Sequence, residues 1–210
     1  MKRTFVFIDG SNFYYRIKNI ADFYAKETRQ EFSLSRFKFK EFCIWLTKAN
    51  DLQEIHYYVG QVKRPGAHSK NSEKVEKMYS DQQRLVGYLQ SNGIEIKFGK
   101  LMKDLGRPGS YHEKGVDVQI AVEMIRFARQ DKYDVAYLIS SDTDLVPAVQ
   151  EVRDLGKEVV YVGIKRIPQP DDNNRDAFGI SYGLLKTAND IKLVEKETVK
   201  EFLTPREQKK

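Results

Sequence analysis

The apolar positions of this chain switch repeatedly between two periods. Residues 4–9 form a continuous run of β-branched and aromatic residues ending in Asp9, the pattern of a strand covered on both faces. Residues 12–24 and 37–48 change to helical spacing, the second segment with Phe39, Phe42, Cys43 and Leu46 on one stripe. Residues 54–62 read as a second strand. A long helix is predicted over 73–91 from Val75, Met78, Tyr79, Gln82, Leu85, Val86 and Leu89, with Asn92-Gly93 as its C-terminal cap. Residues 94–101 give a third strand, 116–129 a helix and 135–140 a fourth strand. The next helix, 145–155, takes Pro147 in its first turn and Gly156 at its end, and 158–162 is a fifth strand.

Alternating β and α segments place the chain in the α/β class, with a parallel sheet and helices on both faces. Two stretches read as loops: 102–114, polar with Gly106, Pro108 and Gly109 and expected to be mobile, and 167–176, rich in Pro, Asp and Asn. The charged end, 192–210, is expected to fray. No internal repeat or linker divides the rest, so one domain is expected.

Composition narrows the partners. The 210 residues carry 36 Lys+Arg against 30 Asp+Glu, a net charge of +6 and a pI near 9.2. That excess favours polyanions without demanding them. A single cysteine, Cys43, excludes a disulfide framework and any cysteine-based zinc cluster, and its apolar neighbours mark it as a core residue. Met1-Lys2-Arg3 resembles the start of a signal peptide, but Asp9 cuts short the apolar run that should follow. No stretch approaches a membrane span. The expected location is therefore the cytoplasm.

The chemistry lies in the aspartates. Asp9 ends the first strand, Asp142 and Asp144 follow the fourth, and Asp117 opens a helix after Lys114-Gly115. Each has an ordinary explanation as a turn or a helix cap. Together they are harder to dismiss, because ligands of an open α/β sheet bind outside the carboxyl ends of its strands. Carboxylates gathered there repel one another unless a cation intervenes. Oxygen ligands without accompanying Cys or His suit Mg2+ or Mn2+, so the first reading is a metal-dependent enzyme acting on phosphate. Walker A and Gly-x-Gly-x-x-Gly motifs are absent. Asp142-Thr143-Asp144 also matches the short motif of Mn2+-dependent glycosyltransferases, but that reading leaves Asp9 and Asp117 unexplained.

The segments Phe7-Ile8-Asp9-Gly10-Ser11-Asn12, Lys114-Gly115-Val116-Asp117 and Ser140-Ser141-Asp142-Thr143-Asp144-Leu145 resemble, in order and spacing, the three signatures of the NYN domain. These are PIN-like ribonucleases, and the resemblance is to the LabA-like branch. Gly156-Lys157-Glu158-Val159-Val160-Tyr161-Val162-Gly163 is similar to the family's fifth strand, and Ala188-Asn189-Asp190-Ile191 to its closing segment. Ser141 and Thr143 stand where the family commonly has glycine.

The resemblance implies a PIN-like three-layer α/β/α sandwich around a mainly parallel sheet of five or slightly more strands, with the first and fourth strands adjacent. The domain would cover 1–193 and leave 194–210 as a charged tail. It also implies a Mg2+- or Mn2+-dependent ribonuclease with RNA as partner and a homodimer as one candidate assembly. Asp9, Asp117, Asp142 and Asp144 would be its catalytic and metal-binding acids. Of these, Asp9 and Asp142 would be direct ligands, and Asp117 and Asp144 direct or water-bridged. Asn12, Ser11, Ser140, Ser141, Lys114, Lys103 and Arg107 would meet substrate, with further cations at Lys63, Arg64 and Lys70. Tyr111 and one of Phe13, Tyr14 and Tyr15 would be available to stack a base, at least two of the latter three being core. None of His56, His68 and His112 is required. The competing class is an RNA-binding or scaffolding module that keeps the fold but cleaves weakly.

Overall fold

The computed structural model describes residues 1–48, 50–62, 72–103, 111–168 and 179–206. In chain order the elements are β1 (Arg3–Asp9), α1 (Gly10–Thr28), α2 (Phe39–Thr47), β2 (Asp51–Gln61), α3 (Ser72–Ser91), β3 (Glu95–Lys103), β4 (Tyr111–Lys114), α4 (Val116–Arg129), β5 (Val135–Ile139), α5 (Val146–Asp154), β6 (Glu158–Ile164), α6 (Tyr182–Thr187), β7 (Asp190–Val194) and α7 (Lys196–Phe202). Short 3-10 turns at Leu34–Arg36 and Thr143–Leu145 precede α2 and α5.

Among the described residues, seven strands form one sheet in the order β4-β3-β2-β1-β5-β6-β7. Every neighbouring pair is parallel except β3–β4. β1 therefore lies at the centre, with β2 on one side and β5 on the other. This is the expected adjacency, and it puts the switch point of the sheet at the ends of β1 and β5.

Alternation along β1 divides the core. Val6 and Ile8 face a layer built with Phe13, Ile17, Ile20, Phe42, Leu89 and Phe202, from α1, α2, α3 and α7. Phe5 and Phe7 face Ile120, Met124 and Phe127 of α4, Val149 and Val152 of α5, and Leu184 of α6. All residues of β5 are buried, as the unbroken apolar run demanded. The result is a three-layer α/β/α sandwich whose sheet is larger than five strands.

Three expectations need correction. Residues 111–114, read as part of a loop, form the antiparallel edge strand β4, registered Lys100↔Lys114 to Lys103↔Tyr111. A four-residue polar edge strand carries no apolar alternation to reveal it. The tail does not fray through its first half. Lys192, Leu193 and Val194 complete β7, and α7 buries Val199, Phe202 and Leu203. Phe202 packs at 5.3 Å from the Phe42 ring, and its carbonyl accepts from the Lys38 N–H at 3.0 Å. Finally, only Phe13 of the three aromatics near the start of α1 is core. Tyr14 is 42% and Tyr15 68% exposed, because the buried stripe runs Phe13, Ile17, Ile20, Tyr24 and turns its neighbours outward. No helix among the described residues is long and apolar enough to cross a membrane.

At the amino edge, Asp134 is held by Arg3 through its backbone N–H at 2.8 Å and through Nη2 at 2.7 Å. These bonds lower the Asp134 pKa to about 2. A carboxylate whose folded pKa is depressed contributes stability above its unfolded value and loses it as pH falls through the folded one. Asp134→Asn should therefore lower the urea midpoint at pH 7. Its curve should converge on that of the wild type as pH drops toward 2, which denaturation series at both pH values would check.

Candidate functional site

β1 delivers Asp9 at its last residue, and the same side chain caps α1 by accepting the Asn12 N–H at 3.1 Å. Asn12 Nδ2 donates to the other carboxylate oxygen at 2.5 Å, and Ser140 Oγ donates to it at 2.9 Å. Asp9 is thus buried, 5% exposed, and fully engaged. Burial raises its pKa, the hydrogen bonds from Asn12 and Ser140 oppose the rise, and the charge of Asp142 adds to it. The carboxylate's only charged influence among these is another acid.

The end of β5 meets this junction from the neighbouring strand. Ser140 is 4% exposed, and its hydroxyl accepts the Asp142 N–H at 3.1 Å while donating to Asp9. Ser141 Oγ donates to Asn12 Oδ1. Asp142 caps the 3-10 turn by accepting the Asp144 N–H at 2.9 Å. Arg16, one helical turn beyond Asn12, donates to Ser141 Oγ at 3.3 Å and to the Gly179 carbonyl at 2.9 Å. This arginine was not anticipated, although its position four residues after Asn12 was a usable signal.

α4 brings the third segment. Gly115 takes φ 78°, a left-handed turn that lets the chain leave β4 and start the helix at once. Asp117 falls in the first turn. Carboxylate oxygens of Asp117, Asp142 and Asp144 all lie within 4.8 Å of one another. Asp9 lies outside that group of three and reaches it through Ser140 and the charge of Asp142. Three acids this close, two of them half-buried and one exposed, offer hard oxygen donors. That donor set fits Mg2+ or Mn2+ and gives no sulfur or imidazole that would favour a softer ion.

The other expected residues are distributed less evenly. Ser11 is half-exposed in the first turn of α1, and Lys114 is exposed at the end of β4. Arg107, Lys63, Arg64, Lys70 and His68 lie outside the described residues, as do the side chains of Lys103, Tyr111 and His112.

The sequence profile of the NYN domain matches residues 3–178. A crystal structure of a protein of unknown function from Vibrio parahaemolyticus superimposes with a TM-score of 0.55 at 16% identity. It covers 97% of this chain and 96% of that one. Curated proteins contain no match.

Proposed function

Because the chain belongs to the NYN domain family, whose fold is that of PIN-like nucleases, we propose that it is a Mg2+- or Mn2+-dependent ribonuclease. The observation that carries this reading is the convergence of Asp117, Asp142 and Asp144 within 4.8 Å, from two separate segments, at the switch point of the sheet. A glycosyltransferase motif would account for Asp142 and Asp144 but not for Asp117 or the buried acid behind them.

Asp117, Asp142 and Asp144 would hold the cation. When bound, such an ion lowers the pKa of a coordinated water and offsets charge developing on a phosphate. Asp9, which the resemblance suggested as a direct ligand, adds negative charge from beneath. Its bond from Asn12 ties the end of β1 to α1, and its bond from Ser140 ties it to the residue after β5. Ser140 acts from the interior, since both its bonds are internal. Arg16 and Ser141 lock the start of α1 to the loop after β5, so the carboxylates are placed before substrate arrives. Lys114 and the exposed rings of Tyr14 and Tyr15 are available to phosphates and bases at the same end of the sheet.

The test is cleavage of a labelled mixed-sequence single-stranded RNA with Mg2+, with Mn2+ and with EDTA. Cleavage that requires the ion and stops in EDTA is expected. Retention of RNA without cleavage under every ion would replace the enzyme by a binding module.

A further inference from the structure

A second cluster of ligand-bearing side chains sits away from the aspartates, toward the amino ends of β2 and β3. Residues two apart on a strand share a face, so Glu54 and His56 rise together on the side covered by α4. His56 is registered with Glu95, the first residue of β3. The imidazole is 0% exposed, stacked on Phe7 at 5.5 Å and packed at 5.3 Å from Phe127. Among the described residues, neither ring nitrogen makes a hydrogen bond. Nε2 lies 2.9 Å from Glu54 Oε2, and Nδ1 lies 3.6 Å from Glu95 Oε2. Leaving a buried polar group unpaired costs about 1–3 kcal/mol, so the arrangement calls for a partner.

We propose that Glu54, His56 and Glu95 form a second divalent-cation site, of zinc type, that staples β2 to β3. One ligand atom from each residue falls within a common 4.8 Å, which one ion can bridge. An imidazole nitrogen with two carboxylate oxygens is a borderline donor set, suited to Zn2+ and unlike the all-carboxylate group at the other edge. Lys97 Nζ stands 2.9 Å from Glu95 Oε2 and supplies the positive charge that the ion would otherwise bring. Zinc and the Lys97 ammonium are therefore competitors for Glu95. The function of such a site is structural: it joins the central sheet to the strand that carries the β3–β4 hairpin.

The full chain, stripped by chelator and titrated with Zn2+ in a calorimeter, tests this. An Asp117→Asn/Asp142→Asn background removes binding at the acidic cluster and should still take up about one equivalent. Glu54→Gln and Glu95→Gln in that background should each abolish the uptake and the accompanying rise in melting temperature. Both glutamates are partly exposed, so these variants should fold even if a His56 substitution does not. Lys97→Ala should tighten zinc by about tenfold, the scale of changes in a ligand's outer partners. Zinc uptake indifferent to Glu54→Gln and Glu95→Gln, or no uptake in the background protein, would overturn the site and leave His56 between two glutamates as a plain ion pair.

Discussion

Asp142→Asn should abolish metal-dependent RNA cleavage while leaving the fold intact. The carboxylate of Asp142 is central to the arrangement. It shares the 4.8 Å group with Asp117 and Asp144, it caps the turn that holds Asp144, and its charge reaches Asp9. An asparagine oxygen can still accept the Asp144 N–H, so the cap survives the change. What is lost is one negative charge among acids that repel one another, and removing it should leave the melting temperature unchanged or raised. An ion held by two carboxylates instead of three gives up several kcal/mol of charge stabilisation in the transition state. The expected loss in rate is about a hundredfold or more. Cleavage assays and Mn2+ titrations on the same preparation check both halves. Wild-type cleavage by the variant would remove the metal site from these residues. Loss of activity accompanied by a collapsed melting temperature would place Asp142 in the architecture instead.

What the sequence disclosed and what it hid follow from how each feature is encoded. β1 and β5 are buried on both faces, so their apolar runs are unbroken and their ends, where Asp9 and Asp142 lie, stand out. Helices α3 and α4 carry long periodic stripes and were equally legible. β4 has only four residues at a sheet edge, and β7 only five, mostly exposed, so neither offers a pattern to read. α7 buries Val199 and Phe202 amid charged neighbours, and its docking depends on packing against α1 and α2 residues that no local window contains. At the site, residue identity was readable but role was not. Ser140 and Asp9 look like surface ligands in sequence, yet burial turns their polar groups toward each other. Arg16 and the Glu54–His56–Glu95 cluster depend on pairings across strands and loops, which spacing along the chain does not encode.

Gly10→Ala is the substitution expected to damage both the fold and the activity. Gly10 follows Asp9 directly and begins α1, where β1 pairs Asp9 with Tyr58 of β2. A Cβ at Gly10 would lie 2.5 Å from Tyr57 Cε1 and 2.5 Å from the Tyr58 carbonyl oxygen. The Tyr57 ring is confined as well, being 1% exposed with its hydroxyl donating to the Gly10 carbonyl at 3.2 Å. A ring in a dense core can yield only by disturbing its neighbours, and a strand carbonyl cannot yield without loosening the β1–β2 pair. Overpacking of this kind costs about 1–3 kcal/mol. At roughly 2–4 °C per kcal/mol for a chain of this size, the melting temperature should fall by several degrees. The strain falls on the junction that aims Asp9 and Asn12 at Ser140 and Ser141, so the displaced strand end should misplace the acids as well. A misplacement of even 1 Å can cost about a hundredfold in rate. The two effects separate on temperature. Well below its melting transition, Gly10→Ala should remain folded by circular dichroism and still cleave RNA far more slowly than wild type. Full activity in the folded variant would mean that the start of α1 tolerates the methyl group and that Asp9 is not aimed through it.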